Sequence, residues 1–232
     1  MALLDFPHKK RKGEFRREPI SEIDKFNQSV GQIRVLLNKL SDGNFDVIEG
    51  KLLKDFDYNP SLLYELMKII FMKATTEMSF MEIYVRLCVT LFRKFNDRDN
   101  VEMNFRKLLL TRCEKQFYRM LKVEQEDRRS RRASMEESGL ARNVGNETGH
   151  KSEFNKQMLA IFDESEIKKR QKDQMFGNMH LIVELYKYDQ IKSGILTTCI
   201  DDMFEEVNGQ NIEILCQMVL KLSHHVVKTS RA

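Results

Sequence analysis

Few residues in this chain have the type and spacing that chemistry requires. The densest cluster is cationic: Lys9, Lys10, Arg11, Lys12, Arg16 and Arg17 lie close together, opposed only by Glu14. Clustered cations of this kind suit RNA phosphates or the acidic groove of an import receptor, and equally fit a solvated tail. A second basic group, Arg131-Arg132-Ala133-Ser134, sets two arginines before a serine, the order that basic-directed kinases favour. Ser134 is therefore a phosphorylation candidate, and a phosphate there would move a positive stretch towards neutral.

The other reactive residue types do not converge. Of the five histidines, His224 and His225 are adjacent, and neighbours on a helix point about 100° apart, which makes a poor metal pair. His180 stands among apolar positions and reads as a partly buried, hydrogen-bonded histidine. Cys88, Cys113, Cys199 and Cys216 form no C-x-x-C pair, and each sits in an apolar helical pattern. They read as small buried hydrophobes in a reducing compartment. The pairs Asp201-Asp202 and Glu205-Glu206 fit a solvated face or ligands for a partner's arginine. Phosphate loop, dinucleotide fingerprint, zinc-protease helix and nucleophile elbow are all missing from the sequence. The expectation is a protein without catalytic residues, metal or cofactor, and so not an enzyme. Tyr58, Leu63 and Tyr64 formally fit a Tyr-x-x-x-x-Leu-hydrophobic docking pattern, but Leu63 falls on a core-facing stripe and that reading is rejected.

The elements that carry these residues are helical. Hydrophobic residues make up 41% and charged residues 32% of 232, with only 10 Gly and 3 Pro, and no β alternation of useful length occurs. No run of about 18 apolar residues could span a membrane, and the first residues, MALLDFPHKKRKG, hold no apolar stretch long enough for a signal peptide, so cytoplasm or nucleus is expected. Ser21 with Asp24 resembles a capping box opening a first helix, whose apolar face is Phe26, Val30, Ile33, Leu37 and Leu40. A short helix follows from about Asn44 to Phe56. Asn59-Pro60 starts a third, and Ser79 with Glu82 reads as the cap of a fourth. A fifth runs from Val101 to about Val123. Residues 125–152, charged and glycine-containing, read as a disordered insertion. Helical pattern resumes near Phe154 and continues to Tyr186, and a last pair covers about Ser193–Glu206 and Asn208–Val227.

The first helices of successive pairs start about 40 residues apart, the period of HEAT and armadillo arrays. The expected fold is all-α: a HEAT-like helical-repeat solenoid of about four antiparallel helix pairs, eight helices, with the insertion in the third pair. The expected organisation is a basic flexible arm over 1–19, the repeat domain over 20–228 and a tail over 229–232.

Four stretches then read together: LLNKLSDGNF (Leu36–Phe45), KATTEMSFMEIYVRLC (Lys73–Cys88), NFRKLLLTRCEKQF (Asn104–Phe117) and GNMHLIVELYKYDQI (Gly177–Ile191). They resemble the middle (MIF4G) domain of translation initiation factor 4 gamma. The resemblance covers residues 33–122 and about 165–222, and the Asn104–Phe117 string is its most specific part. It implies a cytoplasmic translation initiation scaffold that binds and stimulates a DEAD-box RNA helicase, initiation factor 4A, within a larger initiation complex. It also implies contact with messenger RNA through basic segments, here Lys9 to Arg17, and so unwinding and recruitment to the ribosome. The positions matching the family's helicase-binding motif are Leu37, Leu40 and Phe45, with Phe45, just past a turn, the best contact candidate. Nuclear adaptors in splicing, RNA decay or nuclear cap binding share the fold and form the alternative reading. Two departures stand out. No Trp precedes the first helix, and four repeats are read where the family normally has five, which would leave apolar surface around Ile212, Leu215 and Val219 partly uncovered.

Overall fold

The structure, a computed structural model, describes residues 21–54, 59–96, 104–140, 150–205 and 207–229. Among them are eight α-helices: α1 (Glu22–Asn38), α2 (Phe45–Lys54), α3 (Pro60–Thr76), α4 (Met81–Lys94), α5 (Phe105–Leu140), α6 (His150–Lys187), α7 (Ser193–Glu205) and α8 (Gly209–Thr229). Each helix packs on its pair mate, α1 on α2 through α7 on α8. Helices also pack one pair along: α1 on α3, α3 on α5, α4 on α6 and α6 on α8. Packing chiefly between neighbouring pairs is the pattern of a solenoid, and the four-pair repeat expected from the period is the observed fold.

Local chemistry sets most of the helix ends. The Ser21 hydroxyl accepts the Asp24 N–H at 3.1 Å, and the Asn59 side chain accepts the Ser61 and Leu62 N–H groups at 2.8 and 3.4 Å just before Pro60. These side chains satisfy backbone donors that have no partner within the helix. Helix α6 ends in a Schellman motif: the Asp189 N–H donates to the Tyr186 carbonyl and the Gln190 N–H to the Leu185 carbonyl, both at 2.9 Å. Asp189 takes a φ of 57°, the left-handed position that this motif needs.

Two expectations are corrected. Ser79 does not cap α4; it sits inside a single 3-10 turn (Met78–Phe80), and Glu82 instead accepts a hydrogen bond from the Tyr188 hydroxyl at 3.2 Å. The stretch 125–152, expected to be irregular, is helical over 125–140 and 150–152, while 141–149 lie outside the described residues. Arg, Glu, Met and Ala are good helix formers, so backbone propensity extends α5 beyond the point where its apolar period stops.

The core is one continuous cluster running through all four pairs, from Ile33 and Leu37 to Ile214 and Met218. Its tightest crossing is α3 against α6. A Cβ on Gly177 would overlap the Thr75 carbonyl oxygen and stand 2.8 and 2.9 Å from that residue's carbonyl carbon and Cα, so only glycine permits this approach. One residue along, the fully buried Asn178 donates to the Cys113 carbonyl at 2.9 Å and ties α6 to α5.

Candidate partner and RNA interface

The three residues expected at a helicase contact all lie in the core. Leu37 is 1% exposed, Leu40 7% and Phe45 6%. Leu37 continues the apolar stripe of α1, so its burial follows from the period. Phe45 opens α2, and its ring lies under the Arg86 guanidinium of α4 at 4.3 Å. Arg86 in turn pairs with Asp42 at 2.9 Å, so the turn between α1 and α2 is clamped to the second repeat. Asn44 stitches the same turn, accepting from the Ser41 N–H at 2.8 Å and donating to the Lys39 carbonyl at 2.6 Å. All three therefore support the turn between α1 and α2 from within the core. The apolar side chains that the first repeat does present include Val35 and Val47, 52% and 58% exposed.

The basic arm, Lys9, Lys10, Arg11, Lys12, Arg16 and Arg17, lies outside the described residues. Ser134 falls within α5, on helical backbone and not on an irregular segment. Cys88, Cys113 and Cys199 are buried as expected, and burial pushes the Cys113 and Cys199 thiols up to about 12 and about 11. Cys216 departs from the expectation and is exposed. His180 is buried more deeply than expected, and neither ring nitrogen has a hydrogen-bond partner. Leu63 is fully buried, in line with the rejected docking pattern. At the far end Ile212 and Val219 are exposed, whereas Leu215 is buried, so the expected uncovered surface forms without Leu215.

Among the described residues no group of His, Cys, Asp and Glu could hold a metal ion, and no helix is long and apolar enough to cross a membrane. The sequence reading missed a groove between α3 and α5, edged by α1, where Tyr64 and a series of lysines and arginines line adjoining depressions. The signal was present as Lys107, Lys115 and Arg119 in register on one helix face, but their alignment with α3 is a tertiary fact.

Comparison with known proteins agrees with this architecture. Residues 30–221 match the family model of the MIF4G domain. Similar curated proteins include eukaryotic translation initiation factor 4G of Oryza sativa subsp. japonica, 29% identical over 193 residues that cover 81% of this chain and 10% of the relative. The factor 4G of Triticum aestivum is 30% identical over 81% of this chain and 12% of its own length. Eukaryotic translation initiation factor 4 gamma 1 of Mus musculus is 26% identical over 81% and 11%. The chain thus spans about a tenth of the length of these relatives. Among solved structures, the MIF4G domain of a Trypanosoma cruzi translation initiation factor superposes with a TM-score of 0.56 at 12% identity, covering 84% of this chain and 77% of that one, a likeness of fold.

Proposed function

Because the chain belongs to the MIF4G family, we propose that it is a cytoplasmic translation initiation scaffold. It binds and stimulates a DEAD-box RNA helicase, initiation factor 4A, and contacts messenger RNA through basic segments. The observation that carries this reading is the family match over residues 30–221, nearly the whole repeat array. A stacked-helix solenoid supplies what such a role needs: a stiff, extended surface on which two lobes of a partner can rest in a set relative orientation. The scaffold accelerates its partner by touching the active lobe arrangement better than the inactive one; equal contact with both would shift nothing. The nucleotide chemistry belongs to the helicase.

The helicase edge is placed on the first repeat. Leu37, Leu40 and Phe45 fix the shape of the turn between α1 and α2 from within, and the exposed Val35 and Val47 offer the apolar contact. Ser134 phosphorylation would tune the charge of the α5 extension. The test is retention of purified helicase by the immobilised chain. Val47→Arg should weaken retention about tenfold, the loss of one good apolar contact, with helical content unchanged. No retention by the wild-type chain would remove the proposal.

A further inference from the structure

We propose that the groove between α3 and α5 is a seat for single-stranded RNA, with Tyr64 as a stacking platform and the flanking cations holding the phosphate backbone. This rests on the RNA contact in the proposed function and places it on the helical body.

The groove is built from helix faces in register. Along α3, Tyr64, Lys68, Met72 and Thr76 recur at four-residue steps, and all four are exposed. Along α5, Lys107, Thr111, Lys115 and Arg119 recur at the same step, with Arg112 beside them. Helix α1 contributes Phe26 and Arg34 to the rim. Between these faces lie three adjoining depressions. The first, about 490 Å³, is lined by Phe26, Tyr64 and Leu108. A second of about 310 Å³ lies against Tyr64, Lys107, Arg112 and Lys115. Arg34, Lys68, Arg112 and Arg119 line the third, of about 320 Å³. Tyr64 is shared by the first two and Arg112 by the last two, so they form one channel. Lys107 to Arg119 alone span about 18 Å of helix.

The charge is one-sided. Glu65 is the sole carboxylate lining the channel, and Lys68 already pairs with it at 2.8 Å. Among the described residues, none of the other five cations has a carboxylate within ion-pair distance. Arg112, Lys115 and Arg119 stand three and four residues apart on α5, a like-charge spacing that weakens a helix. Beyond the Arg112 guanidinium over the Phe71 ring, the fold gains no ion pair from these five, whereas a polyanion would. Arg112 is the best prepared of them. Its guanidinium is held over the Phe71 ring at 5.2 Å, and its Nε has no hydrogen-bond partner.

Tyr64 makes the channel specific for nucleic acid. The residue is 46% exposed, with the Lys68 ammonium 5.5 Å from the ring centroid. An exposed ring among cations is the arrangement that binds single strands, since every unstacked base offers a flat face and every phosphate a charge. Duplex RNA hides its base faces, and an acidic peptide would use the cations but gain little from the ring.

The test is fluorescence anisotropy with a labelled uridine-rich single-stranded RNA across a salt series, using the full chain. Tyr64→Ala should weaken binding about 5- to 150-fold, the usual loss of one stacked base. Arg34→Ala with Arg119→Ala should lower the salt slope by about 1.4, two phosphate contacts' worth. All three side chains are exposed, so circular dichroism should show unchanged helix content. If both groove variants bind as wild type while serines at Lys9, Lys10, Arg11 and Lys12 abolish binding, the groove seat is wrong and RNA contact through the arm stands. Absence of RNA binding by the wild-type chain would overturn the groove and the RNA contact together. Binding that needs the arginines, ignores Tyr64→Ala and yields equally to poly-glutamate would mark an acidic-peptide seat and overturn the RNA assignment.

Discussion

Replacing His180 by phenylalanine should make the fold less sensitive to acid. The imidazole is 4% exposed, neither nitrogen has a hydrogen-bond partner, and the Phe176 ring lies 4.3 Å away between centroids. Burial, reinforced by the Lys221 ammonium and opposed by Glu184, holds its pKa down to about 4 from an ordinary 6.5. The charged groups around it form one cluster, with Glu184 pairing to Lys187 at 2.8 Å and to Lys221 at 3.3 Å. Because the folded chain takes up this proton less readily than the unfolded chain, the stabilisation is fully present above about pH 6.5 and is lost as pH falls towards 4. For a single group with those two values, linkage gives a loss of about 2 kcal/mol between pH 7 and pH 5. That is a large share of a total stability of roughly 5–15 kcal/mol. Urea denaturation followed by far-UV circular dichroism, at both pH values and in both proteins, reads this directly. Carboxylates elsewhere titrate in wild type and variant alike and cancel in the difference. The variant should lose about 2 kcal/mol less on acidification, and at pH 7 should be at least as stable, since two unsatisfied nitrogens leave the core. Equal acid losses in the two proteins would refute the reasoning.

Gly177→Ala should destabilise the fold by about 2 kcal/mol or more in the same assay, because α3 and α6 must move apart and the gain in helix propensity, about 1 kcal/mol, is smaller. Phe45→Ala should cost about 3–5 kcal/mol, the range for a buried phenylalanine, and lower helix content and helicase retention together, unlike Val47→Arg. A maleimide should label Cys216 rapidly in the native protein and all 4 cysteines in denaturant, as read by mass spectrometry. Rapid native labelling of Cys88, Cys113 or Cys199 would contradict their burial.

What was legible in the sequence was local or periodic. Ser21 and Asn59-Pro60 announce helix starts because a cap acts within three residues, and Leu37 declares its burial through a repeating stripe. Phe45 defeats the same logic. It stands outside a period, just past a turn, and its ring is covered by Arg86, which reaches it from α4. Ser79 has the spacing of a cap, yet the chain makes a 3-10 turn there and starts α4 later. The charged stretch after Val123 lacks an apolar face but keeps helix-forming residues, so absence of a stripe says nothing against helical backbone. Gly177 stands inside a quoted family string, but its role is set by Thr75 on another helix. The α3–α5 channel was hidden for the same reason: Lys107, Arg112, Lys115 and Arg119 are ordinary surface residues until α3 places Tyr64 across from them.

The central claim, that this solenoid works by organising a helicase, is tested most directly by the RNA-dependent ATPase rate of purified initiation factor 4A with and without the wild-type chain. The account predicts a saturable rise in rate with added chain, diminished by Val47→Arg at equal concentration. A rate unchanged at saturating chain, with the chain folded by circular dichroism, would contradict it.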